Sequence, residues 1–195
     1  MKYKQSIGLT LTLTALISSV MIIATVALTE PYIKRNKQIK EYEALLALFS
    51  VPYTKDTVIE QFNKYCRISP DRQWIACVDQ SESLIGRAYN IEGMGFWGKI
   101  RAVVAMSPDG ERIIGISILE HNETPGLGGR ITEPEFLAQF QGKKILPRII
   151  ITQQANPNSD NEVDAITGAT ETGKALERII NSYQRMLTSA GDTYD

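Results

Sequence analysis

Histidine and cysteine are nearly absent, with one histidine and two cysteines in 195 residues. A Cys/His zinc cluster or a Cys-ligated iron–sulfur cluster built from this chain alone is therefore excluded, because each needs four such ligands. No C-x-x-C-H occurs, so covalent haem has no attachment sequence. A basic excess is missing too. The formal net charge is −1, which leaves no electrostatic footprint for a phosphate backbone, and no nucleic-acid partner is expected. Internal repeats and low-complexity linkers are lacking. What is present is an ordinary globular composition, 43% hydrophobic, sufficient for a core and unlike a disordered chain.

One long run is free of charge and proline. Ile7 to Leu28 is 22 residues long, enough to span a bilayer. It exceeds a typical signal-peptide apolar region, and no A-x-A-like cleavage site follows before Glu30-Pro31. Residues 1–29 are therefore expected to be an uncleaved, single-pass anchor in the lipid bilayer. Lys2 and Lys4 flank one side; Lys34, Arg35, Lys37 and Lys40 flank the other. That bias alone puts the C-terminal side in the cytoplasm. Residues 30–56 read as a connecting helix and linker. Tyr32 to Phe49 ends in Leu45, Leu46, Leu48 and Phe49, and Pro52 with the Tyr53–Asp56 stretch breaks the helix.

Residues 57–195 read as one domain. Val58 to Tyr65 is a helix or a strand, and periodicity does not separate the two. Cys66 and Cys77 are symmetric about Asp71-Arg72, beside the turn signal Pro70-Asp71. A two-residue hairpin there would set the cysteines opposite each other, within reach of a disulfide. Two buried free thiols are the alternative, and the choice depends on the side of the membrane that the domain occupies. Gln73–Val78 and Leu84–Ile91 are strand candidates. Lys99–Met106 and Arg112–Leu119 alternate about the Ser107-Pro-Asp-Gly110 turn, which predicts an antiparallel hairpin with one buried side. Glu92 to Gly98 is a glycine-rich bend carrying Phe96 and Trp97, and Trp97 is expected in the core. Glu120 to Arg130 is a Gly/Pro loop with exposed backbone N–H groups. His121 in that loop is expected to make a structural hydrogen bond. A short helix over Glu133–Phe140, with Pro134 in its first turn, and a strand over Arg148–Thr152 follow.

The stretch Asp164-Ala-Ile-Thr-Gly-Ala-Thr170-Glu-Thr-Gly-Lys174 precedes an amphipathic segment in which Leu176, Ile179, Ile180 and Tyr183 share one stripe. The turn thus sits at a helix N-terminus, where N–H groups and the helix dipole favour a phosphate. Gly168 to Ala175 nearly matches the nucleotide-binding pattern G-x-x-x-x-G-K-[ST]. Ala175 stands where a Mg²⁺-binding hydroxyl is needed, and about one helix of chain remains after it, so nucleotide hydrolysis is not expected. Taken alone, the stretch is an ordinary capped helix with Thr167 or Thr170 as N-cap.

Three motifs in order change that reading. Asp164-x-x-Thr167-Gly168-Ala169-Thr170-x-Thr172 resembles the flavinylation motif of the FMN-binding domain family. His121-Asn-Glu123-Thr124-Pro125-Gly126-Leu127-Gly128 and Gly95-Phe-Trp97-Gly98 resemble two further family features. The family includes the G subunits of Rnf electron-transport complexes and the C subunits of sodium-pumping NADH:quinone oxidoreductases, and the compact length is closer to the Rnf kind. The resemblance covers almost the whole chain.

It implies an α+β fold: an N-terminal transmembrane helix followed by a single FMN-binding domain with an antiparallel sheet and flanking helices. It also implies FMN joined through its phosphate to Thr170 by a separate flavin transferase using FAD. Thr167, Gly168 and Ala169 would lie around the phosphate, and Thr124, Leu127 and Gly128 against the ring. Asp164 would form part of what the transferase reads. Arg130 and Lys174 are more simply solvated side chains than phosphate partners. The implied function is that of an electron-carrying subunit of a membrane-bound ion-translocating redox complex, not a complete enzyme alone. Its partners would be other membrane subunits, and its place the bacterial inner (cytoplasmic) membrane with the domain on the extracytoplasmic side. A stand-alone anchored flavoprotein and a cofactor-free interaction domain are the rival readings.

Overall fold

A computed structural model describes residues 2–71 and 73–188. The chain divides into two units, one ending at Ile39 and the other beginning at Lys40. The first belongs to helix α1 (Lys2–Leu48), with Pro31 inside the helix. Every large apolar side chain between Leu9 and Leu28 is exposed. A helix apolar all round has no stripe to turn toward a protein core, and it suits a hydrocarbon solvent. Its polar groups suit that solvent as well. Thr12, Thr14, Thr25 and Thr29 donate their hydroxyls to the carbonyls of Gly8, Thr10, Met21 and Thr25 at 2.8–3.1 Å. Each hydroxyl is thereby satisfied without water. Among the described residues, this is the one helix long and apolar enough to cross a membrane.

The second unit is a mixed helix and sheet domain. Its five-stranded antiparallel sheet pairs in chain order: β1 (Cys66–Ile68), β2 (Ile75–Val78), β3 (Leu84–Met94), β4 (Lys99–Met106) and β5 (Ile113–Glu120). On one face Tyr89, Ile91, Ile100, Ala102, Val104, Met106 and Ile116 meet the apolar residues of the C-terminal half in a single core. Helix α3 (Pro134–Ala138) contributes Phe136 there. Helix α4 (Thr170–Ser182) contributes Leu176, Ile179 and Ile180. On the other face the end of α1 closes in. Leu48 and Phe49 approach Gly115 and Gly86 so closely that a Cβ on either glycine would lie 2.8–2.9 Å from them. Leu45 and Leu46 are fully buried. The alternating pattern of β4 predicts one buried side, but Val103 and Ala105 are buried as deeply as Ala102 and Val104. The correction follows from this second layer. A central strand covered on both faces is apolar on both.

The segment that reads equally as helix or strand is helix α2 (Val58–Tyr65). It buries Val58 and Phe62, and Phe62 stacks on Tyr42 with ring centroids 3.7 Å apart. Cys66 and Cys77 are directly opposite in the β1–β2 register and form a disulfide. The expected two-residue turn falls partly on Arg72, which lies outside the described residues. Strand pairing ends at Ile68↔Ile75. Beyond it, the Ser69 N–H donates to the Trp74 carbonyl (2.9 Å), and Asp71 accepts the Ser69 hydroxyl (2.6 Å) and the Gln73 N–H (3.1 Å). The connection between the strands is therefore six residues long, 69–74, with the same register. A short parallel pair, β6 (Ile150–Thr152) and β7 (Glu162–Asp164), then leads the chain into α4, which is followed by α5 (Gln184–Thr188).

Candidate cofactor site

The β3–β4 hairpin closes through a tight turn at Gly95–Gly98, where the Gly95 N–H donates to the Gly98 carbonyl at 2.7 Å. The turn projects two apolar rings outward, Phe96 at 55% and Trp97 at 67% exposure, packed edge to face. Trp97 is thus not a core residue. A four-residue turn at the tip of a long hairpin has no layer above it. Behind the turn sits the carboxylate of Glu123, which is 4% exposed. Its Oε1 accepts the N–H groups of Phe96 (2.9 Å) and Trp97 (3.1 Å). A side chain on Gly95 would occupy the space that this oxygen fills.

Glu123 comes from the loop after β5. His121 Nδ1 accepts the Glu123 N–H at 3.2 Å, the structural hydrogen bond expected of that histidine. The Thr124 carbonyl accepts the N–H groups of Leu127 (3.2 Å) and Gly129 (2.9 Å). These two bonds wind the loop into the 3-10 turn Gly128–Thr132. Gly126, at φ +74°, makes the required reversal. Gly128 is buried in a junction where an added Cβ would overlap the Thr172 hydroxyl and come within 2.8 Å of Glu123 Oε2.

The third segment arrives from β7. Asp164 serves the approach. Its carboxylate accepts the Ala155 N–H (2.9 Å), and its own N–H donates to Gln139 Oε1 (2.7 Å). Gly168 turns the chain at φ +80°, with Leu127 Cδ2 3.5 Å from the position its Cβ would take. Helix α4 begins at Thr170, earlier than the apolar stripe alone suggests. Its N-cap is Ala169, and no side chain caps it. The expectation that Thr167 or Thr170 acts as N-cap is therefore corrected. Thr167 is exposed and makes no capping bond, and Thr170 is the first helical residue, exposed to solvent. Thr172, in the same wall of the cleft, is turned inward. It is 3% exposed, and its hydroxyl donates to Glu123 Oε2 at 2.6 Å.

The three segments enclose a cleft of about 300 Å³. Gly168, Ala169, Thr170, Glu171 and Thr172 form one wall; Phe96 and Trp97 with Glu123, Thr124, Leu127 and Gly128 form the rest. Of the residues singled out in the sequence, Thr124, Leu127, Gly128, Gly168, Ala169 and Thr170 meet here, and Thr167 does not line the cleft. Glu123, Thr172, Phe96 and Trp97 are added by the structure. Arg130 pairs with Glu133 (3.0 Å) and Lys174 with Glu171 (3.6 Å), so both cations are engaged locally. Hydrogen bonding to Glu133 raises the Arg130 guanidinium further above its ordinary value. A larger open groove of about 670 Å³, lined by Lys64, Tyr65, Arg67, Val78, Asp79, Gln80 and Glu82, contains none of the three motifs.

A helix N-terminus without a side-chain cap, an exposed hydroxyl on its first residue and an open, aromatic-rimmed cleft beside it suit a ligand with a phosphate at one end and an apolar ring at the other. The fold and the cleft thus describe a cofactor-binding α+β domain in a chain that also carries a membrane-length helix.

Comparison with known proteins gives the class a name. Residues 95–184 match the model of the FMN-binding domain family. The chain is 28% identical over 179 residues to the G subunit of the proton-translocating ferredoxin:NAD(+) oxidoreductase complex of Clostridium ljungdahlii, covering 92% of this chain and 89% of that one. It is 40% identical over 93 residues to the C subunit of the Na(+)-translocating NADH-quinone reductase of Vibrio campbellii, covering 45% of this chain and 36% of that one. The crystal structure of NqrC from Shewanella oneidensis shares the fold, with a TM-score of 0.69 at 21% identity over 77% of this chain and 93% of that one. The C subunit of the Na(+)-translocating NADH-quinone reductase from Parabacteroides distasonis gives 0.68 at 19% identity over 83% and 96%.

Proposed function

We propose that this chain is the electron-carrying flavoprotein subunit of a membrane-bound, ion-translocating redox complex of the Rnf type, with FMN joined through its phosphate to Thr170. The observation that carries the reading is the position of Thr170, whose exposed side chain stands on the first residue of an uncapped helix beside the cleft. Thr170 Oγ would form the bond to the flavin-side phosphorus of FAD. The pyrophosphate P–O bond would break with AMP as leaving group, and the hydroxyl proton would pass to a base of the transferase. The N–H groups of the first turn of α4 would hold the resulting phosphodiester. Gly168 and Ala169 leave the acceptor unobstructed by bulk, and Leu127, Thr124 and Gly128 with the two exposed rings would flank the isoalloxazine. FMN supplies one- and two-electron redox chemistry when bound.

A covalent tether removes the need to enclose the ring for affinity, which agrees with an open cleft. An exposed ring edge is what transfer to another subunit requires. The long apolar helix would anchor the chain as a single pass in the bacterial inner membrane. The Cys66–Cys77 disulfide supports a domain on the extracytoplasmic side, because such bridges persist in oxidising compartments. Lys34, Arg35, Lys37 and Lys40 weigh the other way. The relatives named as subunits of translocating complexes support the partners proposed here, namely further membrane subunits. A flavin transferase is required only during maturation. Isolation of the full chain from its native membrane tests the assignment. Covalent FMN recovered together with several polytopic subunits is expected, and a lone flavinylated chain would refute the complex.

A further inference from the structure

We propose that the buried pair Glu123–Thr172 selects and orients the threonine that is modified, so that Glu123 and Thr172 are positioning residues for flavin attachment. The inference rests on the attachment to Thr170 proposed above. The segment Thr170-Glu171-Thr172 offers two hydroxyls to an incoming transferase within one turn of helix. Successive helical residues are about 100° apart, so residues i and i+2 project about 200° apart, on opposite sides of the axis. One threonine of the pair must face the domain and the other must face away. Nothing in helix geometry alone decides which.

Glu123 decides it. Its Oε1 is fixed to the hairpin tip by the Phe96 and Trp97 N–H groups, and Oε2 takes the Thr172 hydroxyl at 2.6 Å in a buried contact. Gly128 is the residue that lets this contact form, because a Cβ there would fill the space of the Thr172 hydroxyl. With Thr172 held inward, the first turn of α4 has one rotational setting. Thr170 then lies toward the cleft and the solvent, two residues past the positive-φ turn at Gly168. Thr172 is withdrawn twice over, since it is buried and its proton is already donated. A short, buried hydrogen bond to a carboxylate is among the stronger contacts of its kind and holds the turn against rotation. The Glu123 carboxylate joins three segments far apart in the chain, so the acceptor is presented only by a domain whose hairpin tip, loop and helix have already assembled.

The test uses the full chain in membranes with a flavin transferase, FAD and Mg²⁺. It reads the modified residue by peptide mass mapping and the transfer kinetics with the domain as varied substrate. The wild type is expected to carry FMN on Thr170 alone. Thr172→Val, nearly isosteric and lacking only the hydroxyl, is expected to lower kcat of transfer about tenfold with little change in KM, the signature of a misoriented acceptor. Thr172→Ser restores the hydroxyl and is expected to return to within about twofold of wild type. Glu123→Ala serves as the second variant, with a loss at least as large as that of Thr172→Val. Transfer to Thr170 at the wild-type rate in Thr172→Val overturns the positioning role while leaving attachment intact. An equal rise in KM and fall in kcat that Thr172→Ser does not rescue overturns it as well, since that pattern marks general loss of structure. A wild-type chain that gains no FMN refutes the proposed attachment itself.

Discussion

Glu123 concentrates more consequences than any other side chain in the domain. It is one of few buried polar residues, and its two oxygens receive three donors from segments 26, 27 and 49 positions away. A buried carboxylate is tolerated when its hydrogen bonds are made, and leaving one unmade costs about 1–3 kcal/mol or more. Gly128 is the neighbour most constrained by this arrangement. Gly128→Ala is expected to destabilise the folded chain by about 1–3 kcal/mol through overpacking. Gly126→Ala, at a turn with open space around it, should cost only the positive-φ penalty of about 1 kcal/mol. Denaturant unfolding of both variants in detergent compares the two. Equal losses would mean that the Gly128 junction is loose and the Glu123 contact weak.

At the scale of elements, the parts legible in the sequence are those whose signal is local. Ile100, Ala102, Val104 and Met106 alternate along β4, and Leu176, Ile179 and Ile180 repeat at helical spacing on α4. Both sets are buried as those periods require. The start of α4 is not legible, because its N-cap is Ala169 and makes no side-chain bond. The exposure of Trp97 is not legible either, because a hydrophobic ring carries no mark of whether a layer will cover it. Glu123 stands in plain view within a glycine-rich loop, but its role depends on partners that only the folded chain brings near.

The β4–β5 turn, legible as Ser107-Pro-Asp-Gly110, carries a local device that the structure adds. Asp109 accepts the Ser107 hydroxyl and the Glu111 N–H (3.0 Å), which hold its carboxyl below the ordinary aspartate range. A carboxyl lowered on folding contributes stability that is complete above the unfolded value of about 3.9. That stability is lost as pH falls through the lower folded value. Asp109→Asn is expected to flatten this part of the acid limb, with stability slightly lower than wild type near neutrality and the two converging below about pH 4. An unaltered acid limb would show that the turn does not hold the charge.

For the whole molecule, the disulfide and the membrane helix bear on the same question of sidedness. The bridge closes a loop between residues 11 positions apart. In the chain-entropy description it stabilises the fold by about 3 kcal/mol. Reductant is therefore expected to lower the unfolding midpoint of the purified full chain. Thiol labelling of unreduced and reduced protein taken directly from membranes reports whether the bridge exists where the chain resides. Free thiols in the unreduced sample would remove the support it gives to an extracytoplasmic domain. The direct test of attachment lies with one oxygen atom on the first residue of α4. Mass mapping of the full chain, expressed with a flavin transferase, should place one FMN phosphodiester on Thr170 and none on Thr170→Ala. An unmodified wild type, or FMN retained in Thr170→Ala, would show that the flavin is not held there.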